Sequence, residues 1–224
     1  MDKINSKYKK SSYALFFWLI MKIYLSILLF FLSIFSFYSQ NTKNEIISEL
    51  IVDFIASKYS KEKLDNFIYI GIKRQRLYLF EANIISKIYK VSTSSKGAGN
   101  EISSYKTPLG LHYIYEKIGQ NAPIGTLFIN KKNTNKIVKI DSLTMHKNKD
   151  EITTRLMSLM GKEMNINKGG SVDSFKRGIY IHGTSNEKTI GQPSSHGCIR
   201  MKNNDIVELF NIVDNQTPVF LFNN

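Results

Sequence analysis

The chain holds 224 residues, with 31 Lys and Arg against 18 Asp and Glu, a formal net charge of +13 and one cysteine. That length fits one domain of ordinary size plus an appendage, and a lone Cys excludes an internal disulfide framework, a Cys-rich zinc knuckle and an iron–sulfur cluster. Charged (22%) and hydrophobic (42%) fractions near globular norms exclude wholesale disorder, while the basic excess raises nucleic acid or an anionic surface as a partner.

The N-terminal segment bears on that choice. Lys3, Lys7, Lys9 and Lys10 precede an apolar run over residues 13–38, broken only by Lys22 and a few serines. Cations that stay in the cytoplasm, followed by a segment that partitions into the bilayer, have the form of an export signal. Taken whole, the run is long enough to cross ~30 Å of hydrocarbon. Counted from Ile23, it matches a signal-peptide core. No clear small-x-small cleavage site follows, since Ser36 with Tyr38 and Phe37 with Ser39 fit poorly, and no Cys is near for a lipoprotein anchor. A membrane anchor and a cleaved signal both stay open for residues 1–40. Either places the remainder outside the cytoplasm. Residues 1–40 then carry +4 of the charge, leaving +9 on a part that faces cell-wall polymers and lipid head groups rather than nucleic acid.

Residues 44–64 set Ile47, Leu50, Ile51, Phe54 and Ile55 at helical spacing, which predicts an amphipathic linker helix over 41–65. From Phe67 the period changes. FIYIGI, RLYLFEA and IISKIYKVST are short, rich in β-branched and aromatic residues, and read as strands. GAGN at 97–100 and TPLG at 107–110 read as turns, and LHYIYEKI and TLFIN continue the β pattern. The polar stretch 131–150 reads as an exposed insertion and a candidate lid. Residues 151–161, with Leu156, Met157, Leu159 and Met160 apolar and Gly161 as a stop, read as a short helix. GIYIHGT is a strand, NNDIVELFNIV a helix started by Asn203 or Asn204, and TPVFLF a closing strand. The exported part, residues 66–224, is mainly β with a few short helices.

One constellation carries chemistry. The only Cys stands in Ser194-Ser195-His196-Gly197-Cys198-Ile199-Arg200, sixteen residues after His182 in Tyr180-Ile181-His182-Gly183-Thr184. A thiol becomes a nucleophile as thiolate, and a neighbouring His can take its proton and return one to a leaving amine. His196 shares a face with Cys198 in an extended segment, and His182 ends a strand that the following loop could bring alongside, so both are candidate bases. Gly197 allows close backbone approach and converging N–H groups for an oxyanion. Against this stand the ordinary buried Cys and the structural His. A zinc site of His182, His196 and Cys198 lacks the usual spacing and a fourth ligand. GAGN lacks the third glycine and the helix of a nucleotide loop. His112 and His146 have no evident partners, and Asn215-Gln216-Thr217 matches a glycosylation triplet that is common by chance.

His182-Gly183-Thr184, Ile190-Gly191 and SHGCIRM at 195–201 together resemble the signature of the L,D-transpeptidase catalytic domain (YkuD-like) family of bacterial cell-wall enzymes. The likeness extends over about residues 66–223, through IYIGIKRQRLYLF, TPLG and RGIYIHGT. It implies a β-rich, sandwich- or barrel-like fold with the nucleophile in a cleft and no cofactor or metal. It implies that Cys198 attacks the stem-peptide carbonyl before the terminal D-Ala, and that the resulting thioester is resolved by an acceptor amine into a cross-link. His182 becomes the base, oriented by the Gly183 carbonyl. Amides around His196, Gly197 and Cys198 would form the oxyanion hole, with Ser195 and His196 as positioning residues and Arg200 a partner for a substrate carboxylate. Resolution by water or attack on existing cross-links, giving a carboxypeptidase or endopeptidase, and a non-catalytic wall-binding protein remain the alternatives.

Overall fold

A computed structural model describes residues 2–62, 64–141 and 150–224, without the side chains of 2–17, 19–20 and 36–41. One helix, α1, runs from Asp2 to Lys58. The expected division into a membrane or signal helix and a separate linker helix at 40/41 is not made by any break. Residues 2–58 contain neither Gly nor Pro, so nothing in the backbone chemistry stops the helix. Contacts divide the chain into two units, residues up to 54 and residues 55–224.

In the first unit most of the described apolar side chains of α1 lie in the open, among them Trp18, Tyr24, Phe30, Phe31 and Phe35. Ser26 and Ser33 turn their hydroxyls back onto the carbonyls of Lys22, Ile23 and Phe30, which hides their polarity inside the helix. Lys22 Nζ lies 3.5 Å from the Trp18 ring centre. Among the described residues no helix is long and apolar enough to cross a membrane. The apolar run 13–38 falls in part outside the described side chains.

The second unit is mainly β. Ten strands form one hydrogen-bonded sheet: β1 Phe67–Gly71, β2 Arg76–Glu81, β3 Ile84–Lys90, β4 Gly110–Ile118, β5 Thr126–Ile129, β6 Lys132–Ile137, β7 Ile152–Gly161, β8 Tyr180–Gly183, β9 Ile199–Met201 and β10 Pro218–Phe222. The path runs β3-β2-β1-β10-β4-β7-β5-β6, with β8 on β7 and β9 on β8. Pairing is antiparallel except for β1 with β10 and β8 with β9. Helix α2, Asn203–Ile212, lays Ile206, Leu209 and Phe210 into a core shared with Ile68, Ile70, Leu77, Met157, Leu159, Ile181, Ile199 and Leu221.

Two expectations change here. The stretch 151–161 holds strand β7, Ile152–Gly161, and not a helix. Thr153, Leu156, Met157, Ser158 and Leu159 are fully buried, so both faces are covered and the period-2 alternation that marks a half-exposed strand is lost. The apolar spacing that remains imitates a helical face. Within the 131–150 stretch, β6 pairs with β5 as a hairpin, which removes the first part from any unstructured insertion. Residues 142–149, His146 included, lie outside the described residues.

Candidate active site

The site is built on the parallel pair β8–β9. Its register sets Ile181 against Ile199, His182 against Arg200 and Gly183 against Met201. Cys198 stands at the bend that directly precedes β9, with its Sγ against the carbonyl of Gly178, two residues before β8, the strand that carries His182. The tertiary structure thus sets the strand that carries His182 next to the strand that follows Cys198, sixteen residues later in the chain.

His182 is 1% exposed, and its Nδ1 lies 2.7 Å from the Gly183 carbonyl oxygen. A carbonyl only accepts, so Nδ1 carries the hydrogen and Nε2 keeps its lone pair. Burial pushes the imidazole below its ordinary value, partly opposed by Asp150 and the Gly183 carbonyl. Gly183 has room for no side chain, because a Cβ would lie 2.7 Å from both the Thr153 carbonyl and Asn203 Oδ1. A bulge in β7 between Thr153 and Leu156 lets both strand ends pair with β8, and Thr154 takes a left-handed φ of 68° within it.

Cys198 is half-buried. Its Sγ donates to the Gly178 carbonyl at 3.3 Å. Burial raises the thiol to about 12, while the Tyr180 amide, Arg200 and Arg177 act the other way and Asp150 adds to the rise. Both shifts favour the uncharged thiol and the uncharged imidazole over a thiolate–imidazolium pair.

The loop before Cys198 is pinned from several sides. The amides of Ser194 and Ser195 donate to the Thr93 carbonyl at 2.8 and 3.0 Å. Thr93 is itself fixed by the buried Gln75, whose Oε1 accepts from the Thr93 amide and whose Nε2 donates to Thr93 Oγ1. Thr107, in the turn at 107–110, donates to the Gly197 carbonyl at 3.0 Å. Ser195 Oγ donates to the Cys198 carbonyl at 2.6 Å and accepts from the Gly197 amide at 3.1 Å. Gly197 sits at φ 128°, which L side chains rarely adopt. Ser195 is thus the loop's internal brace, and the GAGN segment is tied to Arg177, whose Nη1 donates to the carbonyls of Gly99 and Asn100.

Asp150 is the residue that the sequence did not single out. Its Oδ2 accepts from His196 Nδ1 at 2.7 Å and from the His196 amide at 3.1 Å, and its Oδ1 lies 3.4 Å from Arg200 Nη1. Burial would raise this carboxyl, but His182, Arg200 and His196 more than offset it and hold it below its ordinary value. No spacing rule links position 150 to 196 and 200, so only the fold could reveal it.

Two expected roles shift. Arg200 is 2% exposed and its guanidinium is committed to Asp150, Thr189 Oγ1 and Ser194 Oγ, so a substrate carboxylate cannot reach it without displacing Asp150. The amides of His196 and Gly197, expected to face an oxyanion, donate to Asp150 and Ser195 instead. Beside them lies a cleft of about 260 Å³ lined by Ile102, Tyr105, Lys176, Arg177, Ile179 and His196. Among the described residues no group of three or more His, Cys, Asp or Glu is arranged to hold a metal.

The family profile of the YkuD L,D-transpeptidase catalytic domain matches residues 65–221. The protein of Bacillus subtilis provisionally named L,D-transpeptidase YkuD is 45% identical over 58 residues, 24% of this chain and 35% of that one. Its namesake in Bacillus licheniformis matches to the same extent. The match therefore spans about a third of the length of these curated relatives. Among solved structures, the L,D-transpeptidase of Xylanimonas cellulosilytica aligns with a TM-score of 0.45 at 16% identity, covering 72% of this chain and 62% of that one. The enzyme of Mycobacterium smegmatis aligns with a TM-score of 0.43 at 13% identity, covering 70% and 58%.

Proposed function

Because the chain belongs to the YkuD family of L,D-transpeptidase catalytic domains, we propose that it transfers peptidoglycan stem peptides through a thioester on Cys198. The observation that carries this reading is the His182 tautomer: Nδ1 is spent on the Gly183 carbonyl, which leaves Nε2 as a base on the strand that pairs with β9, directly after Cys198.

The chemistry follows from two neutral partners. The thiol rotates away from the Gly178 carbonyl, its S–H bond breaks as Nε2–H forms, and the electron pair left on sulfur attacks the stem-peptide carbonyl. The thioester forms as the C–N bond to the terminal D-Ala breaks, and the imidazolium returns its proton to the departing amine. An acceptor amine then attacks the thioester and passes its proton through His182 back to sulfur. No ATP, metal or cofactor enters these steps. The oxyanion role falls to the Cys198 amide, with the Gly197 amide joining once it leaves Ser195 Oγ. Lys176, which lines the cleft, replaces Arg200 as a partner for a substrate carboxylate, while the Arg177 guanidinium is held by the Gly99, Asn100 and Lys106 carbonyls.

The same reading sets the catalytic unit outside the cytoplasm, at the cell envelope, with residues 13–38 as export signal or membrane anchor. It is supported by the exposed apolar side chains of α1 and by serines that satisfy their hydroxyls within the helix. Cell fractionation with sequencing of the mature N-terminus tests it.

For the reaction, purified tetrapeptide stem fragments are incubated with the full chain and the products weighed by mass spectrometry. Cross-linked dimer is the expected product. Trimmed tripeptide alone would make the protein a carboxypeptidase, and cleavage of supplied dimers an endopeptidase. Retained turnover in Cys198→Ala would refute the thioester itself.

A further inference from the structure

Asp150 contacts His196 twice and Arg200 once, yet the acyl-transfer steps above give it no work. Its position in the charge pattern is specific. Arg200 is the register partner of His182 across the β8–β9 pair, so a buried guanidinium lies on the strand next to the base. When His182 takes the thiol proton, two cations stand side by side in a site that water scarcely reaches. Uncompensated, that arrangement opposes proton transfer. Asp150 is the acid bonded to Arg200, its charge reaches His182, and its side chain is 23% exposed.

Resting on the acyl-transfer reading, we infer that Asp150 is a positioning residue that neutralises Arg200, stabilises the His182 imidazolium formed during attack, and fixes the His196 side of the cleft. It touches neither the reacting sulfur nor the base, and acts through Arg200 and through the field at His182. The other charged or titratable groups facing this pair are Arg200 on β9, Cys198, and Tyr180 and Arg177 near the thiol. The adjacent Glu151 is engaged elsewhere, by the Ser185 hydroxyl at 2.5 Å.

A competing role is a plug. The carboxylate sits on the His196 amide, where an oxyanion was expected, and would then have to leave before catalysis. The two roles predict opposite signs, and the positioning role is favoured because the same carboxylate offsets a buried guanidinium to which no other acid among the described residues is bonded.

The test compares full-length wild type, Asp150→Asn and Cys198→Ala on tetrapeptide stems across pH, beside an NMR titration of the His182 ring. Asp150→Asn keeps size and one acceptor oxygen, enough for the two His196 bonds, while removing the charge and the acceptor that faces Arg200. It is expected to lower kcat about tenfold or more with KM little changed, and to move the acid limb and the His182 titration down by about one pH unit. A fall in kcat with both titrations unmoved marks a merely structural residue and overturns the inference. A rise in kcat makes Asp150 a plug and also overturns it. Turnover in Cys198→Ala would instead defeat the acyl-transfer reading, so the two failures are distinguishable. Should Asp150→Asn not fold, the wild-type titration decides: a second His182 inflection in the carboxylate range supports the coupling, and a single inflection overturns it.

Discussion

At the scale of single residues, the proposed acyl transfer starts from two groups that burial shifts toward their uncharged forms. With the Cys198 thiol raised to about 12 by burial, its thiolate is scarce at neutral pH. Alkylation by iodoacetamide, which reads only this thiol because the chain has one Cys, should be slower than that of a free cysteine at pH 7. Its rate should climb about tenfold per pH unit well into the alkaline range. A plateau below pH 7 would reveal a thiolate–imidazolium pair and remove the neutral-pair mechanism. His182→Ala should lose at least a hundredfold in kcat as the base disappears. His196→Gln, which keeps a side-chain donor and the amide bonded to Asp150, should lose far less. A reversed order would make His196 the base. The motif residues were legible because they lie within twenty positions of each other. The committed state of Arg200 was not, since it depends on Asp150, fifty residues away in sequence.

Among the elements, β7 and α2 matter most for holding the site. Asn203 Oδ1 accepts from the hydroxyls of Thr153 and Thr154, while its Nδ2 donates to the Thr184 carbonyl and to Glu187 Oε1. Asn203 is thus not the helix cap that the sequence suggested. Lys202 occupies the cap position, and the Asn203 amide is satisfied by the Glu187 carboxylate at 2.7 Å. The Asn side chain instead ties the start of α2 to the β7 bulge beside Gly183. Asn203→Ala should cost about 2–4 kcal/mol in urea unfolding, because it leaves several buried partners unpaired. A loss below ~0.5 kcal/mol would show that water replaces these bonds. The strand-rich stretches from 67 to 90 were readable because one turn-bounded apolar run follows another. The identity of β7 was hidden because a strand buried on both faces discards the alternation by which strands are recognised.

For the whole molecule, acid sensitivity follows from buried histidines. His112 lies fully buried on β4, with Nδ1 3.1 Å from the Gly110 carbonyl and Nε2 2.9 Å from Ser174 Oγ. Burial lowers it from 6.5 to about 4. Below pH 6.5 the unfolded chain takes up this proton and the folded one does not, so stability falls as pH falls from 6.5 to 4, by about 3 kcal/mol at the lower end. His182 and Asp150, also held below their ordinary values, act in the same direction. Urea unfolding at pH 7 and pH 4.5 should show the loss in wild type and a smaller one in His112→Gln. Equal slopes in both would remove His112 as the cause. The sequence offered no partner for this histidine, since Ser174 reaches it only through the fold.

The sequence by itself determined the β-rich class and the split of the +13 charge between a basic N-terminal segment and the remainder, and its family resemblance marked Cys198 as the candidate nucleophile and His182, next to the Gly183 carbonyl, as the candidate base. All of these reside in short contiguous patterns, where neighbours along the chain are neighbours in space. Only the tertiary structure decided that residues 152–161 are a strand, that Arg200 faces inward, that Gln75 and Thr93 brace the loop before Cys198, and that Asp150 joins the site. Each of those depends on contacts between residues far apart in sequence. Burial and pairing fix such contacts once the sheet has closed over its core, and no local propensity encodes them.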